Sequence, residues 1–113
     1  AGRTDGSCNE RTSLEDIISN AVLDKPMIVL DHNPEFIDDA VKNHVELVLC
    51  GHTHRGQFFP VTVLTRLAHG KEHFYGCHKI EDTTAVITSG AGFFELPVRI
   101  GTDNEVVSIK LKS

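Results

Sequence analysis

A chain of 113 residues with 40% hydrophobic and 24% charged side chains suits one globular domain and excludes a disordered segment. Its formal net charge of -5 argues against a general nucleic-acid surface, which needs basic excess to exchange for counterions. No run approaches the ~18 apolar residues of a membrane span, AGRTDGSCNE at the N-terminus holds no apolar targeting core, and Cys8, Cys50 and Cys77, with no CxxC, make a poor disulfide framework.

In chain order, Thr12-Ser13-Leu14-Glu15 has the form of a capping box, in which Thr12 and Glu15 each satisfy a free backbone N–H. Leu14, Ile17, Ile18, Ala21 and Val22 then recur at helical spacing, and Asp24-Lys25-Pro26 ends the predicted helix. Met27 to Leu30 is a short apolar run, as expected of a strand covered on both faces. Asn33 suits an N-cap and Pro34 the first helical position; Phe36, Ile37, Ala40 and Val41 give the following helix one apolar face, with Asn43 as its stop. Val45 to Cys50 is a second buried-type strand. Strand, helix, strand over so few residues predicts a right-handed βαβ unit with parallel strands. His32 and His52 each follow one of those strands, at the edge where α/β sheets form ligand sites.

Beyond Pro60, Val61 to Ala68 reads as a short helix. Strand patterns follow in HFYGCHKI, TTAVITSG, LPVRI and EVVSIKL, the last alternating Val107, Ile109 and Leu111 with Ser108 and Lys110. The expectation is thus an α/β domain over residues 1–113, one βαβ unit followed by antiparallel strands.

The histidines carry the chemistry. In an extended loop alternate residues point the same way, so His52 and His54 can present two imidazoles to one pocket, with Gly51 and Gly56 permitting turns on either side. Imidazole suits zinc, iron and manganese. Together with His32 at the matching strand end, the pattern predicts metal binding. Asp31 is either an orienting carboxylate behind a ligand or a helix cap. His69, His73, Cys77 and His78 form a rival metal constellation, but Gly70 and Gly76 interrupt the helix it needs. His44 reads as surface. Ser89-Gly90-Ala91-Gly92 is a glycine-rich turn that can cradle phosphate with backbone N–H groups, and Arg55 is a candidate phosphate contact.

LDHNPE, LVLCGHTHRGQFFP, ITSGAGFFELPVRIG and EVVSIKLK together, over roughly residues 27–112, resemble the C-terminal half of a calcineurin-like metallophosphoesterase. The nearest subgroup is bacterial, typically reads GHTHGGQ, and is often exported or membrane-associated. The resemblance implies half of a four-layer α/β/β/α sandwich and a site for two divalent ions (Mn, Fe or Zn), one bound by His32 and His52 and the other by His54. It also implies hydrolysis of phosphate mono- or diesters by a metal-activated hydroxide, with no nucleophilic side chain. Arg55 departs from the subgroup's glycine and places a side chain at the rim. The family's earlier motifs, D-x-H, GD-x-x-D and GNH, have no counterpart here. The expectation is therefore an incomplete domain, inactive alone, which pairs with the missing N-terminal half or with another copy of itself. Two alternatives drop catalysis: a single structural zinc held by His32, Cys50, His52 and His54, or an interaction module.

Overall fold

The computed structural model describes residues 2–3, 13–19, 24–51, 53–57, 59–70, 73–93, 95 and 97–112. Strand β1 (Gly2–Arg3) precedes helix α1 (Leu14–Ile18), β2 (Ile28–Asp31), a 3₁₀ turn at Pro34–Phe36, α2 (Ile37–Lys42) and β3 (Leu47–Cys50). A second 3₁₀ turn at His54–Gly56, α3 (Val61–His69), β4 (Gly76–Ile80) and β5 (Thr83–Ile87) follow. The five strands form one sheet in the order β1-β2-β3-β5-β4. All neighbours are parallel except the β4–β5 hairpin, so the predicted βαβ unit is present and β5 extends its parallel sheet.

Local chemistry explains the boundaries. Asn33 caps the turn before α2, its side chain accepting from the Glu35 N–H, with Pro34 in the first turn where its missing donor costs nothing. Asn43 ends α2, its N–H reaching the Asp39 carbonyl. At α1 the cap lies one residue later than the expected Thr12, which is outside the described residues. Ser13 accepts from the Asp16 N–H, so Asp16 rather than Glu15 stands at the third helical position.

Val29, Val48, Cys50, Ala85 and Ile87 bury one sheet face, under Leu14 and Ile18 of α1 and Ile37 and Ala40 of α2. The other face is thinly covered. Ile28, Leu47, Leu49 and Val86 are half-buried, and Leu30 is 53% exposed. Here Val107, Ile109 and Leu111 border an apolar groove of about 620 Å³ with Ile28, Leu47 and Val86.

Two predicted strands are not formed. Within 96–100, Leu96 lies outside the described residues, and Ile100 makes only a local bridge to the 57–59 loop, donating to the Gln57 carbonyl and accepting from the Phe59 N–H. In 105–111, Glu105 donates to the Gly90 carbonyl, and Val107 to Leu111, the polar Ser108 and Lys110 included, line the groove exposed and without joining a ladder. An alternating pattern becomes a strand only where a partner strand is there to pair with it.

Candidate metal and phosphate site

Strands β2, β3 and β5 run parallel, so the segments leaving them emerge at one edge of the sheet: His32, then Gly51 to Gln57, then Thr88 to Gly92. Adjacent strands lie about 4.8 Å apart. The Gly51 N–H donates to the His32 carbonyl at 3.1 Å, and His32 Nδ1 is 3.8 Å from where a Cβ on Gly51 would stand. His32 is exposed and His54 half-buried. His52, the remaining predicted ligand, lies outside the described residues.

The sharp turning expected of Gly51 falls elsewhere. His54, Arg55 and Gln57 hold φ of 44°, 52° and 53°, the left-handed region that disfavours a side chain. At about 1 kcal/mol each, roughly 3 kcal/mol of backbone strain sits in this one turn. Tertiary bonds hold it. The Thr53 hydroxyl donates to the Phe74 carbonyl at 3.0 Å and accepts from the Arg55 N–H at 3.4 Å. The buried Gln57 receives the Ile100 N–H and the Thr102 hydroxyl on its carbonyl.

Arg99, which the sequence pattern did not single out, ties the loops together. Its Nη2 donates to the carbonyls of Gly92 at 2.6 Å, Ser89 at 2.8 Å and Gly90 at 3.1 Å. Nη1 reaches the Asp103 carbonyl at 3.1 Å and the His54 carbonyl at 3.5 Å. Nη2 also lies 3.3 Å from His54 Nδ1, and since a guanidinium only donates, that ring nitrogen accepts. Its cue in the sequence was its place in ITSGAGFFELPVRIG, one of the segments that carry the family resemblance.

The glycine-rich turn does not offer the expected row of free N–H groups. The Ser89 N–H donates to Glu105 Oε2 at 3.1 Å and the Gly90 N–H to the Thr88 hydroxyl at 2.8 Å. Glu105 also receives the Tyr75 hydroxyl on Oε1 at 2.9 Å. Burial pushes the Glu105 carboxyl up, but hydrogen bonds from Ser89, Tyr75 and Thr88 outweigh it and leave the group below the ordinary carboxylate value. The same Glu105 bond, then burial, raises the Tyr75 phenol. Arg55 lies with its guanidinium 4.5 Å from the centre of the Tyr75 ring.

Among the described residues the rival constellation does not assemble. His73 Nε2 sits 3.4 Å from an Asp38 carboxylate oxygen, His78 Nε2 is 2.9 Å from the Tyr75 carbonyl, and Cys77 is exposed on β4; the His69 side chain lies outside the described residues. Cys50 packs in the core, and burial, then the Asp31 charge, pushes its thiol up to about 12. The Cys50 side chain packs with the core residues beneath α1 and α2, a placement that weighs against the single-zinc arrangement. Asp31 is buried and accepts from the Asn33 N–H, a local turn contact.

Among the described residues, no three His, Cys, Asp or Glu side chains converge as a metal-binding group. The histidines at the strand ends suit the imidazole share of a metal centre. Among the described residues they bring one adjacent carboxylate, Asp31, to an edge where two dications call for several, and no group of three converges, so the described donors do not complete a dimetal site.

No protein-family model matches the chain, and no solved structure matches it. Curated proteins do. A Helicobacter pylori protein named as an uncharacterized metallophosphoesterase is 39% identical over 89 residues, covering 77% of this chain and 24% of its own length. A Danio rerio protein named as a transmembrane protein with metallophosphoesterase domain is 34% identical over 102 residues, 88% of this chain and 23% of its own length. A Campylobacter jejuni metallophosphoesterase is 37% identical over 89 residues, 78% of this chain and 23% of its own. This chain thus spans about a quarter of the length of the curated relatives it matches. With histidine-bearing loops at the C-terminal edge of a parallel sheet and this breadth of similarity, the chain belongs to the metallophosphoesterase family, of whose members it carries a part.

Proposed function

We propose that this chain supplies the histidine side of a metal-dependent phosphoesterase that hydrolyses phosphate esters. The observation that carries the proposal is the shared edge: His32 follows β2, and the strained turn bearing His54 follows the adjacent parallel strand β3. His32 and His52 serve one divalent ion (Mn, Fe or Zn) and His54 a second, with Arg55 as a phosphate contact at the rim. His32, His52 and His54 would hold ions of this kind, which would supply Lewis acidity to activate water and offset charge on the phosphoryl group. The carboxylates come from outside the chain, so the 113 residues alone are inactive.

Zinc titration of the chain, with His32→Ala and His54→Ala beside it, tests this. Weak uptake below two ions per chain, reduced by each substitution, is expected. Uptake indifferent to both substitutions overturns the proposal, and two tightly held ions overturn the incompleteness. The thinly covered sheet face around Leu30 supports a further part of the proposal, that the isolated chain self-associates there. A monomer at high concentration in sedimentation analysis would count against that part.

A further inference from the structure

Arg55 is held more firmly than a rim residue needs to be. Its backbone takes a left-handed φ of 52°, its N–H donates to the Thr53 hydroxyl, and its guanidinium stacks on Tyr75. Tyr75 is in turn fixed at both ends. The Thr53 hydroxyl binds the carbonyl of the preceding Phe74, and the Tyr75 hydroxyl donates to Glu105, whose other oxygen receives Ser89. These contacts link the turn after β3 to the turn after β5 through one aromatic ring. Arg99 bridges the same two turns independently, through His54 and the Ser89, Gly90 and Gly92 carbonyls.

We infer that Tyr75, anchored by Glu105, is the platform that positions the Arg55 guanidinium beside the His54 turn, and that the cation so held selects terminal phosphates, phosphomonoesters over diesters. The inference rests on the phosphoesterase proposal and deepens it. A guanidinium held over the ring face, 4.5 Å from its centre, loses freedom before a phosphate arrives and can spend its N–H groups on two oxygens of one phosphate. A monoester has three unesterified oxygens and retains one for the histidine side. A diester has only two and a single charge, so gripping both leaves none. Tyr75 and Glu105 are positioning residues, acting through Arg55.

Modification of arginines by phenylglyoxal, followed peptide by peptide in the 113-residue chain, tests this without a complete metal centre. Inorganic phosphate and methyl phosphate should protect Arg55 at concentrations about tenfold lower than dimethyl phosphate does. Tyr75→Leu should raise the protecting concentration about threefold to fivefold, the worth of an exposed cation–π contact. Tyr75→Phe, which keeps the ring but frees it from Glu105, should fall between. Arg66, exposed on α3, serves as the internal reference. Equal protection by mono- and diesters overturns the selectivity. Protection indifferent to Tyr75→Leu, or an equal change at Arg66, overturns the platform. Zinc binding measured on the same samples separates the two layers. Histidine-dependent zinc uptake with Arg55 unprotected sinks only this inference, whereas uptake indifferent to the histidines sinks the phosphoesterase proposal beneath it.

Discussion

Replacing Arg99 by leucine should be the most damaging single change near the site outside the proposed ligands themselves, one of which, His54, it contacts. The guanidinium donates at 3.1 Å or less to the carbonyls of Ser89, Gly90, Gly92 and Asp103. Hydrogen bonds to a charged group contribute about 1.5–3 kcal/mol each. Three of these share one nitrogen, and at a half-exposed position water reaches the freed carbonyls, so simple addition overstates the loss. Roughly 2–4 kcal/mol is the expectation. With an m-value of about 1.5 kcal/mol/M in urea for a small domain, the unfolding midpoint should fall by about 1.5–2.5 M. Far-UV circular dichroism in a urea series reads this directly. Arg99→Lys should recover part of the loss, because an ammonium keeps the charge but lacks the fork that spans several carbonyls. A midpoint lowered by under about 0.3 M in Arg99→Leu would refute the reasoning, since the bridging carbonyls would then be equally well served by water.

Two further outcomes follow from the titrating groups. The Glu105 carboxyl is depressed below its ordinary 4.5, so its contribution is present above that value and is lost as pH falls through the lower folded value. Wild-type stability in urea should therefore drop more steeply than that of Glu105→Gln between about pH 5 and pH 3, and parallel curves would disprove the tether. Cys50, with its thiol near 12, carries a thiolate fraction of about 10⁻⁴ at pH 8, while Cys77 lies exposed on β4. Iodoacetamide should label Cys77 at once and Cys50 only after denaturation, and equal rates by peptide mapping would contradict the burial.

The sequence made the scaffold of the site readable because periodicity and caps are local. Met27–Leu30 and Val45–Cys50 announce adjacent parallel strands, though not the thin cover of one of their faces, and Asn33-Pro34 announces the helix between them, so His32 falls at the strand-end edge that the pattern expects. EVVSIKL shows the limit of such patterns. Its alternation suits a half-buried strand, yet residues 106–112 are exposed, and strand pairing needs a neighbour that no local pattern supplies.

The polar network was illegible for a different reason. Arg99 and His54 are 45 residues apart in sequence, as are Thr102 and Gln57, and Tyr75 and Glu105 are 30 apart. Such contacts form only after the sheet has brought the loops together, and no periodicity encodes them. The turn they surround explains why they are needed. Three side-chain-bearing residues in left-handed conformation store roughly 3 kcal/mol in His54–Gln57, strain that persists only where neighbours over-determine it. Thr53, Arg99, Thr102 and the Ile100 amide are those neighbours, the last two sharing the Gln57 carbonyl while Arg99 takes the His54 carbonyl and Thr53 ties the turn to Phe74. A glycine after His54, as in the subgroup the sequence resembles, would adopt φ near 52° without this cost. Under the function proposed above, arginine there accepts the cost and gains a guanidinium held against Tyr75. That exchange of backbone ease for a fixed cation is the ground on which the proposal takes Arg55 as a phosphate contact.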